Sequence, residues 1–184
     1  RAVDHVLHRF RVMGLSSDLA VGDAEHLDFP DGTFDLVYSW GVIHHSPDTG
    51  KAAREILRVL RPGGEFKVMI YHRRSFVGYM LWFRYALMKL RPFMTLDQIY
   101  AQYLESPGTQ AYSVAEARGL FSGAVDIGVQ TVLTHGDLLT SEAGQRHNGL
   151  VLSAARVIWP RFLIRRFFKD HGLFMLIRGR KGTR

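Results

Sequence analysis

The chain has 184 residues, 47% hydrophobic and 22% charged, with a formal net charge of +7. Such a composition belongs to a folded globular chain rather than a disordered one, and the length suits one domain with a substantial core better than two. Cysteine is absent, which excludes a disulfide frame and a thiolate metal site and makes a cytoplasmic setting the simple expectation.

The charge is unevenly placed. From Ala155 to Arg184 nine Lys/Arg face one acid, Asp170, while the rest of the chain is near balance. A basic end points to an anionic surface or to a solvated basic face, and a membrane surface is favoured here over nucleic acid. The longest apolar stretch, Phe76 to Leu90, is interrupted by Arg84 and Lys89, so it is too short and too charged to span a membrane.

In chain order, Val3, Val6, Leu7 and Phe10 have helical spacing over Ala2 to Met13, with Gly14 at the C-cap position. Asp18 to Asp23 reads as a short strand, Phe29-Pro30-Asp31-Gly32 as a turn, and Phe34 to Trp40 as a buried strand. Ser46-Pro47-Asp48 opens a helix over Thr49 to Leu60, which Pro62-Gly63-Gly64 ends before a second buried strand, Glu65 to Tyr71. Strand, helix and strand with tight connections make a βαβ unit and imply parallel pairing. Beyond it the pattern predicts helices over Ser75 to Leu90, Thr95 to Glu105 and Val114 to Phe121. A strand follows over Ala124 to Thr134, then a long helix over Leu150 to Phe168 and a last strand over Leu173 to Arg180. The class is α/β.

Three stretches carry a family resemblance. Gly22 to Val37 (GDAEHLDFPDGTFDLV), Val42-Ile43-His44-His45 and Arg58 to Gly64 (RVLRPGG), in that order and spacing, resemble the class I S-adenosylmethionine-dependent methyltransferases, nearest the small-molecule and quinone-type branch. The resemblance covers about residues 1 to 75 and implies a Rossmann-like, mostly parallel sheet with ligands at the carboxyl ends of its strands. It implies S-adenosylmethionine as cofactor, bound by Asp23, Ala24 and Glu25 after one strand and by Ser39, Trp40 and Gly41 after the next. Asp23 is alternatively a turn cap and Trp40 plain core. Gly41 permits close approach or an unusual dihedral.

For His44 and His45 a metal site is disfavoured. Adjacent residues on extended backbone point to opposite sides, and no Cys or acidic cluster completes a coordination sphere. No metal is expected. A general base remains open, with one histidine facing the methyl-transfer pocket, as does a purely structural role for both. His72 is a further base candidate on the same rim, and Tyr71 a candidate pocket wall. Tyr79, Trp82 and Phe83, with neighbouring aromatic and methionine side chains, either line an apolar acceptor pocket or pack a helical cap, residues 76–115, onto the single domain 1–184. Aromatic residues interleaved with arginines over 159–169 resemble an interfacial helix.

The chain also departs from the family. The glycine-rich loop after the first strand and the acid after the second do not occur. With the family order 3-2-1-4-5-7-6, a sheet built from this sequence lacks its first two strands. The expectation is therefore a truncated methyltransferase domain that alone binds cofactor weakly. It would move a methyl group to a small, hydrophobic acceptor, with an oligomer or a partner chain as another way to complete the sheet. Rival readings are a non-catalytic binding or assembly relative and a dinucleotide-dependent oxidoreductase.

Overall fold

The computed structural model describes residues 2–140 and 157–183. Helix α1 (Ala2–Val12) is followed, across an irregular segment, by strand β1 (Phe34–Trp40), a 3-10 turn (Ile43–His45), α2 (Thr49–Val59) and β2 (Leu60–His72). Then come α3 (Phe76–Trp82), α4 (Leu96–Tyr103), the two-residue strand β3 (Ala111–Tyr112), α5 (Val114–Leu120), β4 (Ala124–Val132), α6 (His135–Leu138), α7 (Arg161–Phe167) and β5 (Phe174–Lys181).

The sheet order is β1-β2-β5-β4, with β3 paired to the end of β2. β1 runs parallel to β2, as the tight βαβ connection requires, whereas β5 is antiparallel to both β2 and β4. This arrangement reproduces the last four strands of the expected order, 4-5-7-6. Among the described residues the outer edge of β1 has no neighbouring strand.

Local chemistry accounts for the element ends. Asp48 caps α2 by accepting from the Lys51 amide, and reciprocal capping boxes open α4 (Thr95/Gln98) and α5 (Ser113/Glu116). One face of the sheet is sealed by α2 and α5: Ala52, Ala53, Phe66, Ile70, Ala117, Phe121 and Met175 are wholly buried there. The Phe66 and Phe121 rings stack with centroids 4.5 Å apart. The other face is less covered, for Leu36, Tyr38 and Trp40 of β1 are 49%, 62% and 48% exposed.

Several elements differ from expectation for physical reasons. Residues 18–23 form no strand; Val21 is 88% exposed, and with no neighbouring strand the segment's backbone groups have no ladder to join. Only an isolated bridge between Asp23 and His26 remains. Downstream the segment is strapped along α2. Arg58 donates to the carbonyls of Leu27 and Phe29 and pairs with Asp31 and Glu55, while Glu55 accepts from the Leu27 amide.

Pro62-Gly63-Gly64 does not separate helix from strand. It lies inside β2 as a bulge between the pairs Phe34–Leu60 and Leu36–Glu65. A Cβ at Gly64 would stand 3.0 Å from the Arg61 and 3.1 Å from the Phe34 carbonyl oxygen, so a side chain there would crowd the backbone. The helix expected to reach Leu90 leaves α geometry at Phe83, where one π turn (Phe83–Leu87) ends it. The long helix expected over 150–168 lies outside the described residues up to 156. Within them it is broken at Trp159–Pro160, because proline has no amide to donate and disfavours helical backbone before it.

A buried carboxylate joins the later elements. Asp137 is fully buried and accepts from the amides of Val77, Thr134 and Leu173 and from the Thr134 hydroxyl, at 2.7–3.1 Å. It thereby ties α3, α6 and the start of β5 together. No helix among the described residues is long and apolar enough to cross a membrane.

Candidate functional site

The carboxyl ends of β1 and β2 form one rim. At the end of β1, Gly41 takes φ +69° and its amide donates to the Met69 carbonyl at 3.2 Å. That left-handed turn, unstrained only for glycine, swings the chain off the sheet into Ile43–His45. Ser39 is buried and its Oγ has no partner. Trp40 is half exposed, stacked near Tyr38 and edge-on to Phe174 at 5.7 Å, so its ring is only partly core.

The two histidines differ sharply. His44 is fully buried, and both ring nitrogens lack a partner. Its ring lies 4.2 Å from both the His45 and Tyr71 rings. Burial, reinforced by the adjacent His45, pushes its pKa down to about 3, so the imidazole is neutral at ordinary pH. His45 is partly exposed. Its Nδ1 lies 3.2 Å from both Ser106 Oγ and Thr109 Oγ1, and its Nε2 lies 3.7 Å from a Glu105 carboxylate oxygen. Burial, and secondarily a hydrogen bond to Glu105, raise the Tyr71 phenol well above its usual range. The structure thus gathers His44, His45, Tyr71 and Glu105 into one cluster under the loop 105–110. The Gln110 amide holds that loop down by donating to the His44 carbonyl. Among the described residues no group of three or more His, Cys, Asp or Glu could hold a metal ion.

His72, at the end of β2, donates from Nδ1 to the Gly172 carbonyl at 3.2 Å, and burial lowers its pKa. Below it the buried Tyr100 hydroxyl lies 2.7 Å from Ser75 Oγ and 3.1 and 3.2 Å from the His72 and Arg73 carbonyls.

The turn at residues 23–26 sits beside the start of α2. Asp23 accepts from the Glu25 amide at 2.9 Å and pairs with His26 at 3.0 Å, and these bonds, the amide first, lower its pKa. Its side chain nonetheless stays largely exposed. Glu25 accepts from the Ser46 hydroxyl at 2.5 Å and the Asp48 amide at 2.8 Å, with Ser46 the larger cause of its lowered pKa. Ala24, between them, packs on the core.

The four pocket-wall residues do not converge. Tyr71 belongs to the histidine cluster. Tyr79 lines a separate cavity of about 270 Å³ between α3 and α7, together with Phe76, Trp159, Leu163, Phe168 and His171. Trp82 packs in the helical region and donates Nε1 to the Met94 carbonyl. Phe83 is 53% exposed on the π turn. Sequence reasoning missed Glu105, Thr109 and His171. Each lies on a connection with no motif of its own, brought in by contacts at long sequence separation.

Parts of the chain resemble known proteins. Residues 2–68 match the family model described as a methyltransferase domain. The chain is 43% identical over 61 residues to the 2-methyl-6-phytyl-1,4-hydroquinone methyltransferase of Synechocystis, covering 33% of this chain and 19% of that protein. It is 33% identical over 107 residues to a probable S-adenosylmethionine-dependent methyltransferase of Mycolicibacterium smegmatis, covering 58% of this chain and 39% of that one. The matches thus span well under two thirds of these relatives' own length. The crystal structure of a SAM-dependent methyltransferase from Thermotoga maritima shares the fold with a TM-score of 0.58 at 21% identity, over 97% of this chain and 70% of that one. Residues 2–68 thus resemble a methyltransferase domain, and the described residues share the fold of a solved SAM-dependent methyltransferase.

Proposed function

We propose that this chain forms the acceptor side of an S-adenosylmethionine site that methylates a small, hydrophobic molecule. One observation carries the reading: Ser39 Oγ and both His44 nitrogens are buried without partners at the end of β1. Buried polar atoms are nearly always hydrogen-bonded, and leaving one unpaired costs about 1–3 kcal/mol. We read these unpaired atoms, all within residues 39–44, as groups that a ligand would satisfy.

The residues fit the family's cofactor on this rim. Asp23 and the Ala24 amide would take the adenine, and the backbone of Ser39, Trp40 and Gly41 the methionine end. Glu25 is spent on Ser46 and Asp48, so its part is to hold the turn. When bound, the sulfonium supplies an already activated methyl group, leaving the protein to align the acceptor and exclude water. His45 is the histidine with a carboxylate beside it, Glu105 at 3.7 Å. That separation admits an acceptor hydroxyl next to Nε2 and favours the imidazolium formed when the proton is taken. His44, kept neutral, serves as a hydrogen-bonding wall. Helices 76–115 act as the acceptor-side cap, and α7 as contact with a membrane surface.

The test is transfer of labelled methyl from S-adenosylmethionine to hydroxyl-bearing hydrophobic acceptors by protein purified from its native source. His45→Gln is expected to lower kcat by about 10²–10⁴ while leaving S-adenosylhomocysteine binding unchanged. Full activity in that variant removes His45 as the base. Absence of both binding and transfer in the wild type overturns the whole reading.

A further inference from the structure

The cavity between α3 and α7 and the surface around α7 share residues. Leu163 and Phe168 line the cavity and are 49% and 46% exposed. Next to them Val157, Ile158, Phe162 and Phe167 are 83%, 81%, 77% and 65% exposed. Large apolar side chains concentrated so densely on an outer surface mark an interaction face. Interleaved with them are Arg165, Arg166 and Lys169, all exposed, against the single acid Asp170. Exposed aromatic residues set among cations suit an anionic bilayer, where rings enter the headgroup boundary and each cation near the surface adds about 1 kcal/mol.

The cavity wall complements this. Phe76 stands at its centre, edge-on to Trp159 at 6.1 Å and to Phe168 at 5.9 Å. The indole N–H of Trp159 is already spent on the Asp137 carbonyl at 2.9 Å. The lining is mostly apolar and aromatic, with His171 Nδ1, buried without a partner, a polar point on it. At about 270 Å³ the space lies just below the range for whole small-molecule ligands, roughly 300–1,000 Å³. It therefore suits part of a longer molecule. It also adjoins the rim, since Gly172, next to His171, takes the hydrogen bond from His72.

We propose that this cavity holds the hydrocarbon tail of a membrane lipid, which enters from an anionic bilayer on which α7 lies. The inference rests on the proposed membrane contact of α7, and the two fail separately below.

The experiment pairs two probes on the purified chain: cis-parinaric acid, read by its fluorescence, and sedimentation with phosphatidylcholine vesicles with or without phosphatidylglycerol. Leu163→Trp, which fills the cavity from a half-exposed position, is expected to bind parinaric acid about tenfold more weakly and to sediment with anionic vesicles as the wild type does. Phe168→Trp, with circular dichroism as the folding check, repeats the test should Leu163→Trp not fold. Arg165→Glu with Arg166→Glu is expected to keep parinaric acid binding and to lose vesicle binding roughly thirtyfold or more. Parinaric acid binding unchanged in both folded cavity variants overturns the tail site while sparing the surface reading. Wild-type chain that ignores anionic vesicles but is retained by immobilised RNA overturns the membrane route.

Discussion

At the end of β2 most of the buried polar groups serve one another, His171 Nδ1 excepted. The Tyr100 hydroxyl reaches Ser75 and two carbonyls, His72 reaches Gly172, and Asp137 collects four donors. One strand away, at the end of β1, Ser39 and His44 are just as buried and have no partners. The two strands are adjacent and parallel, so geometry alone does not explain the contrast. A saturated end holds the fold, whereas an unsaturated end bears a stability cost that a bound ligand can offset.

The comparison can be broken by mutation. The largest effect is expected from Asp137→Ala, which strands four donors and should lower stability by about 3 kcal/mol or more; equilibrium denaturation in urea measures it. Next is the pH response of His44. Its folded pKa of about 3 lies below the unfolded value near 6.5, so the unfolded chain takes up the proton first. Its contribution is fully present above pH 6.5 and is lost as pH falls toward 3, by up to several kcal/mol. His44→Phe should flatten a plot of melting temperature against pH across that window. Tyr100→Phe, which removes one hydroxyl from the saturated end, should cost about 1–3 kcal/mol, read in the same urea titration.

The smallest stability effect is expected from Ser39→Ala, within about 0.5 kcal/mol of wild type or slightly stabilising. The same change should weaken S-adenosylhomocysteine binding in calorimetric titration. If Ser39→Ala instead destabilises as much as Tyr100→Phe, the two strand ends are alike and the contrast fails.

Much of the architecture was legible because it rests on local signals. Phe34 to Trp40, the Asp48 cap and the alternation through Phe66, Val68 and Ile70 announce strand, helix and strand without reference to anything distant. Residues 18–23 misled because a strand is defined by its neighbour, and hydrophobicity alone supplies none. Pro160 was visible in the sequence, yet the apolar spacing around it outweighed its missing amide. At the site, adjacency of His44 and His45 could not reveal that one is fully buried with its ring against Tyr71 while the other lies by Thr109, whose side chain arrives from 64 positions away. Glu25 looked like a ligand contact because a carboxylate's partner is chosen by tertiary structure. That partner, Ser46, lies across the turn into α2.

The strand order has a consequence for how the chain assembles. Among the described strands β5 is made after the others, yet it lies between β2 and β4, and Lys181 at its end donates to the Arg58 and Leu60 carbonyls where α2 gives way to β2. During synthesis β2 and β4 therefore emerge without their shared partner. Each keeps a bare edge until more than a hundred further residues have followed β2. Pairing at such separation is slow, and waiting edges are prone to join other chains. Yield from a cell should thus depend on how quickly β5 arrives, independently of how stable the finished sheet is.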